Sequence, residues 1–149
     1  MSDFHVPMRR TADNTLIVGN TIADATRARR LELWDLMFGC DASPADNMFR
    51  ARVRRCTTAG TSTATTPRRI DDAEFQTEFD AGENHTVNPT ITANSEMIDE
   101  PTHQRNSFRW TAVPGREILT PATGANGLVY ETPVGPASSV VYNAYIREH

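Results

Sequence analysis

The stretch from Asn47 to Ile70 reads NMFRARVRRCTTAGTSTATTPRRI, and its opening residues constrain the chain most. Phe49, Ala51 and Val53 alternate with Arg50, Arg52 and Arg54. Successive side chains of a strand point to opposite faces, so one face can enter a core while the other carries three guanidinium groups in a row. The stretch then passes into a Thr/Ser/Gly segment and stops at Thr66-Pro67.

Composition agrees with a strand-rich fold. The chain of 149 residues holds 19 Thr, 8 Gly and 9 Pro, and its 15 basic residues are all Arg. Thr favours strands over helices, and Gly and Pro supply turns. The length suits one domain. The net charge of −4 divides unevenly: residues 1–70 carry 11 Arg against 7 acidic residues, and residues 71–149 carry 4 Arg against 12. An excess of +4 is mild for a nucleic-acid partner, and the acidic half would repel phosphates, so pairing within or between subunits explains the split better. No apolar run reaches membrane-spanning length, and the expectation is a soluble chain made in the cytoplasm.

Along the chain, residues 1–13 read as a polar N-terminal arm ordered by a neighbour. Thr15–Val18 reads as a strand closed by a Gly19-Asn20 turn. Residues 21–30 are ambiguous, with Asp24 placed to cap a short helix. Leu31–Phe38 fits either period and is read as a strand in which Asp35 intrudes among Leu31, Leu33 and Met37. Asp71–Asp80 alternates around Phe75 and Phe79. His85–Thr92 reads as an edge or bulged strand around Pro89, residues 93–106 as a polar connection, and the rest as short strands separated by Pro and Gly. Gly60–Thr66 is either a flexible loop or an extended segment pairing with another subunit.

Candidate chemistry is sparse. His5, His85, His103 and His149 have no ligand-spaced partners and read as surface or turn residues. Cys40 and Cys56 lack metal spacing and read as buried free thiols, although a bridge stays open. Asn84-His85-Thr86 matches a glycosylation sequon without a signal peptide to give it meaning. No nucleophile elbow or phosphate loop occurs. The expectation is no enzyme, no cofactor and no metal. The arginine row is either a solvated face or one side of a contact, with Glu74, Glu78 and Asp80 as its acidic counterpart.

At Ala45-Asp46-Asn47, in the run RRCTTAGTSTATTP that starts at Arg54, and at RWTAVPG (109–115) followed by PATGANG (121–127), the sequence resembles small virion proteins of tailed bacteriophages, most of all head decoration (cement) proteins. The resemblance covers about residues 30–132 and rests on structural motifs. It implies a compact sandwich or jelly-roll body that assembles as a trimer and locks major capsid proteins together on the head surface. The full expectation is an all-β, jelly-roll-like antiparallel β-sandwich of about eight strands, with an arm (1–13) and one domain (14–149). Its partners would be itself and the major capsid protein, with no nucleic acid and no membrane. Contacts fall to Arg50, Arg52, Arg54, Arg55, Arg68, Arg69, Arg9 and Arg10. Two other readings stay open: a neck or tail ring component, and a receptor- or carbohydrate-binding sandwich. Burial of Trp34, Trp110, Tyr130 and Tyr142 would favour the first reading, and an exposed aromatic platform the last.

Overall fold

The computed structural model describes residues 2–10, 17–41, 43–71, 77–134 and 139–149. Its regular elements are all strands: β1 (Ser2–Arg10), β2 (Ile17–Ala23), β3 (Leu31–Cys40), β4 (Met48–Cys56), β5 (Thr61–Ala64), β6 (Arg68–Arg69), β7 (Phe79–Val87), β8 (Ile91–His103), β9 (Phe108–Thr111), β10 (Ile118–Leu119), β11 (Gly127–Val134) and β12 (Val140–Glu148). They form two antiparallel sheets. One is ordered β6-β1-β12-β3, with β9 and β10 end to end along the outer side of β3; the other is ordered β5-β7-β2-β11-β4-β8.

With β5–β7 and the two-residue β10 set aside, the orders become β1-β12-β3-β9 and β2-β11-β4-β8. This is the double Greek key of an eight-strand jelly roll. The expected sandwich is therefore present, and the additional strands come mainly from an insertion. Residues 57–90 leave the β4–β8 hairpin and return to it. Their ends are clasped by Thr57 N–H to the Thr90 carbonyl (2.9 Å) and Thr90 N–H to Thr58 Oγ1 (2.8 Å). Within the insertion, β6 extends one sheet beside β1, while β5 and β7 extend the other beside β2. The Thr-rich segment is thus an edge strand of this chain's own sheet.

Between the sheets lies one main core. Phe4, Val6 and Met8 of β1 and Tyr142, Ala144 and Ile146 of β12 face Phe49, Ala51 and Val53 of β4 and Leu128 and Tyr130 of β11. Phe38 ties the layers together, stacking on Tyr142 in its own sheet (5.3 Å) and meeting Phe49 of the other sheet edge-on (6.1 Å). Truncating it to Ala would cost about 3–5 kcal/mol. Tyr130 and Tyr142 are fully buried; Trp34 and Trp110 are half-buried.

Several local expectations are corrected. The N-terminal segment is no arm over residues 2–10: β1 pairs along its length with β12, and alternate residues enter the core. Gly19-Asn20 lies inside β2 rather than in a turn. The glycine is needed because a Cβ there would lie 2.6 Å from Met8 Sδ and 2.7 Å from the Gly82 carbonyl oxygen. Asp24 does accept N–H groups, from Thr26 and Arg27, but in a bend with no helix behind it. Pro89 sits between β7 and β8, not within a strand, and residues 93–103 are strand rather than connection. The Asp71–Asp80 reading falls largely outside the described residues; Phe79 opens β7.

Candidate functional site

The arginine row lies where the alternation puts it. Phe49, Ala51 and Val53 are buried, and Arg50, Arg52 and Arg54 project from the outer face of their sheet. Their counterions are not Glu74, Glu78 and Asp80. In the sheet, β4 lies between β11 and β8, and β7 is separated from it by two strands. Arg50 Nε is 2.6 Å from Asp99 Oδ1, and Arg52 Nη2 is 3.3 Å from Asp99 Oδ2. Arg52 and Arg54 converge on Glu131 of β11, with Arg54 Nε 2.6 Å from Oε1. Glu96 stands 3.8 Å from Arg54. The Glu131 side chain is only 3% exposed beneath the two guanidinium groups, and its carboxylate holds the Arg54 proton more firmly than usual. Glu74 is outside the described residues, Glu78 is clamped by Arg27 and Arg29 of the β2–β3 loop, and Asp80 is exposed.

The seam suggested by the charge asymmetry is therefore closed inside one chain at this row. Three arginines and three carboxylates far apart in sequence meet because β8 and β11 flank β4. The remaining arginines divide. Arg10 is 5% exposed and reaches the Ile17 carbonyl, so it presents nothing to a partner in this arrangement. Arg9 is exposed and bound to Asp41. Arg55 is half-buried next to Ser95, and Arg68 and Arg69 are exposed on the edge strand β6. The expected contact residues thus occupy separate places: the outer face of one sheet, the edge of the other, and a buried corner.

The opposite outer face, made by β1, β12, β3 and β9, holds residues that sequence reasoning did not assemble. Arg147 bridges Asp3 and Glu32 at 2.8 Å each, and His149 meets Glu32 at 2.6 Å. Arg109 grips Asp35 with Nε 3.1 Å from both carboxylate oxygens, and Thr111 donates to the same group. The intruding Asp35 has a structural cause. β3 carries a bulge against β12, where Tyr145 pairs with Asp35 and Ile146 with Leu33. Trp34 is the extra residue, so the inward phase passes from Leu31 and Leu33 to Leu36 and Phe38, and Asp35 turns outward.

Aromatic rings on this face lean against one another. His5 stacks on Tyr145 at 5.2 Å, and Trp34 tilts on Tyr145 at 5.5 Å with 51° between planes. With 29° and 51° between their planes, the three rings do not make one flat platform for a sugar ring. Beside them, a shallow groove of about 420 Å³ is lined by Pro7, Arg9, Asp41, Arg68, Glu83 and Val141 among others. A second of about 300 Å³ shares Asp41 and Val141 with it. Among the described residues no group of three or more His, Cys, Asp or Glu is placed to hold a metal ion. Asn84 of the sequon has a half-buried amide and a φ of 50° within β7, a poor acceptor for a glycan. Cys40 and Cys56 are both free thiols.

No known family model matches the sequence, and no curated protein matches it. The function must be argued from the fold and the residues.

Proposed function

We propose that this protein is a structural component of a bacteriophage virion, a decoration protein that oligomerises and binds the major capsid protein on the head. The observation that carries the reading is the strand order, because the double Greek key is an architecture of viral capsid domains as well as of lectins. The motif resemblance points to the same class. The tying of distant charges supports it further: networks on both outer faces fasten neighbouring strands and suit a body whose task is mechanical. The assembly would act by buried area and polar contacts, with no covalent step. The exposed β6 arginines and the grooved face of β1, β12 and β3 are its best contact surfaces.

Two measurements test this together. Light scattering of purified protein gives the oligomeric state, and co-sedimentation with capsids assembled without it gives attachment. A trimer that saturates the shells is expected. A six- or twelve-membered ring with no shell binding would favour a neck or tail position, and binding to neither shells nor itself would sink the proposal.

A further inference from the structure

The insertion is held on the jelly-roll body at a corner where the end of β1, the start of β2, the β4–β5 loop and β7 converge. His85 of β7 fills that corner. Its side chain is 2% exposed, and neither ring nitrogen has an aligned hydrogen-bond partner. The Ala59 carbonyl of the β4–β5 loop accepts from Asn20 Nδ2 at 2.8 Å and lies close enough to His85 to favour the protonated ring in part. From β1 the charged group facing His85 is Arg10, itself buried, with Nη1 2.5 Å from the Ile17 carbonyl. Described residues of β2, β5 and the β4–β5 loop bring no titratable side chain there: β2 offers Asn20, and β5 reads Thr-Ser-Thr-Ala. On β7 itself, Glu83 accepts the backbone N–H of Arg9 at 2.7 Å.

We propose that His85 is an acid-sensitive latch: protonating it releases the β5–β7 insertion from β1 and β2 while the eight-strand body stays folded. A second cation placed beside Arg10 in a buried corner is poorly stabilised, since neither ring nitrogen has an aligned acceptor. Opening the corner gives the ring water and distance from the guanidinium. Burial holds the closed-state ring neutral below the usual histidine range; the nearby Ala59 carbonyl opposes it in part, and the Arg10 charge adds to it. Between that lowered value and about 6.5, the open form binds a proton that the closed form does not, so acid favours opening. Above about 6.5 both forms are neutral at this ring, and the dependence disappears. Opening would uncover the edges of β1 and β2, the two strands that the insertion extends.

Hydrogen exchange read by mass spectrometry on the full chain, corrected for intrinsic rates, tests this between pH 7.5 and 5.5. Peptides from β5 and β7 are expected to lose protection, with an opening constant rising by up to about tenfold per pH unit below about 6.5. Peptides from β4, β11 and β12 should hold theirs. His85→Phe and His85→Gln should each remove the pH dependence, the second serving if the first does not fold. Unchanged protection in the native protein, or the same loss in the variants, would overturn the latch. So would a histidine ring assigned to His85 by NMR that titrates near 6.5 in the closed protein.

Discussion

Arg54 and Glu131 form a largely enclosed, two-point ion pair on the outer face of their sheet, with Nε 2.6 Å from Oε1 and Nη2 3.0 Å from Oε2. The carboxylate has little water of its own, so its stability depends on the guanidinium groups above it. Replacing Glu131 by Ala should cost about 1–3 kcal/mol, because Arg52 and Arg54 then lose their shared acceptor while remaining largely covered. A double-mutant cycle with Arg54→Ala, read by urea denaturation, should show strong coupling between the two positions. Additive losses would mean that the pair is an accident of crowding.

The whole row gives a sharper outcome. If Arg50, Arg52 and Arg54 served only a neighbouring subunit, three Gln substitutions would weaken assembly and leave the isolated fold unaffected. Their intrachain partners lead to the opposite expectation. The triple variant should lose about 2 kcal/mol or more, chiefly through Arg52 and Arg54, since the more exposed Arg50–Asp99 pair contributes little in water. Thermal melting of the purified variant checks this. An unchanged melting temperature with lost assembly would return the row to an interface role.

What could be read in advance follows the distance over which each feature is decided. The β4 alternation is a local pattern, and its burial is as read. The partners of its arginines depend on strand order, and Arg54 and Glu131 are separated by 77 positions along the chain. Asp99 and Glu96 fall in a stretch, residues 93–106, that reads as a polar connection. As an edge strand β8 buries only Ser95, Ile98 and Thr102 firmly, and Pro101 marks it as an edge. The phase of β3 was hidden by the Trp34 bulge, which period-two counting cannot see. For β1 a signal was present. Phe4, Val6 and Met8 alternate with Asp3, His5 and Pro7, a pattern that the reading of residues 1–13 as a polar arm leaves unused, and Pro7 is the one residue in it unsuited to an interior strand. It is tolerated because β6 pairs only with Phe4 and His5, which leaves that side of Pro7 without a ladder partner.

That position of β1 changes what truncation should do. Removing residues 1–10 takes away Phe4, Val6 and Met8, each wholly buried and worth about 1.5–3 kcal/mol. Together they rival the whole stability of a domain, about 5–15 kcal/mol. The truncated chain should therefore be unfolded by circular dichroism and near-UV signals, instead of folded but unable to attach. A truncated chain with native spectra would mean that another segment replaces β1.

The two cysteines should differ sharply in reactivity. Burial pushes the Cys56 thiol up to about 12, whereas Cys40 is half-buried at the end of β3. Since the thiolate is the reactive form, iodoacetamide at pH 8 should modify Cys40 in the folded protein and leave Cys56 intact. Intact-mass spectrometry should then show one adduct under native conditions and two in denaturant. Rapid native modification of Cys56 would show that the small cluster of Ile22, Cys56 and Val129 opens readily.

The Asp35–Arg109 pair should respond asymmetrically to losing one partner or the other. Asp35 is 1% exposed, while the Arg109 guanidinium is largely in water. Removing Arg109 leaves a buried carboxylate with the Thr111 hydroxyl as its main remaining donor, an arrangement that should cost about 2–4 kcal/mol. Asp35→Asn keeps an acceptor of the same shape and leaves Arg109 free to hydrate, so about 1 kcal/mol is expected. Urea midpoints should therefore rank the native protein first, Asp35→Asn second and Arg109→Ala last. If Asp35→Asn were the more damaging, Asp35 would be held chiefly by its contacts within β3 and β12, and the bulge at Trp34 rather than the β9 arginine would set its position.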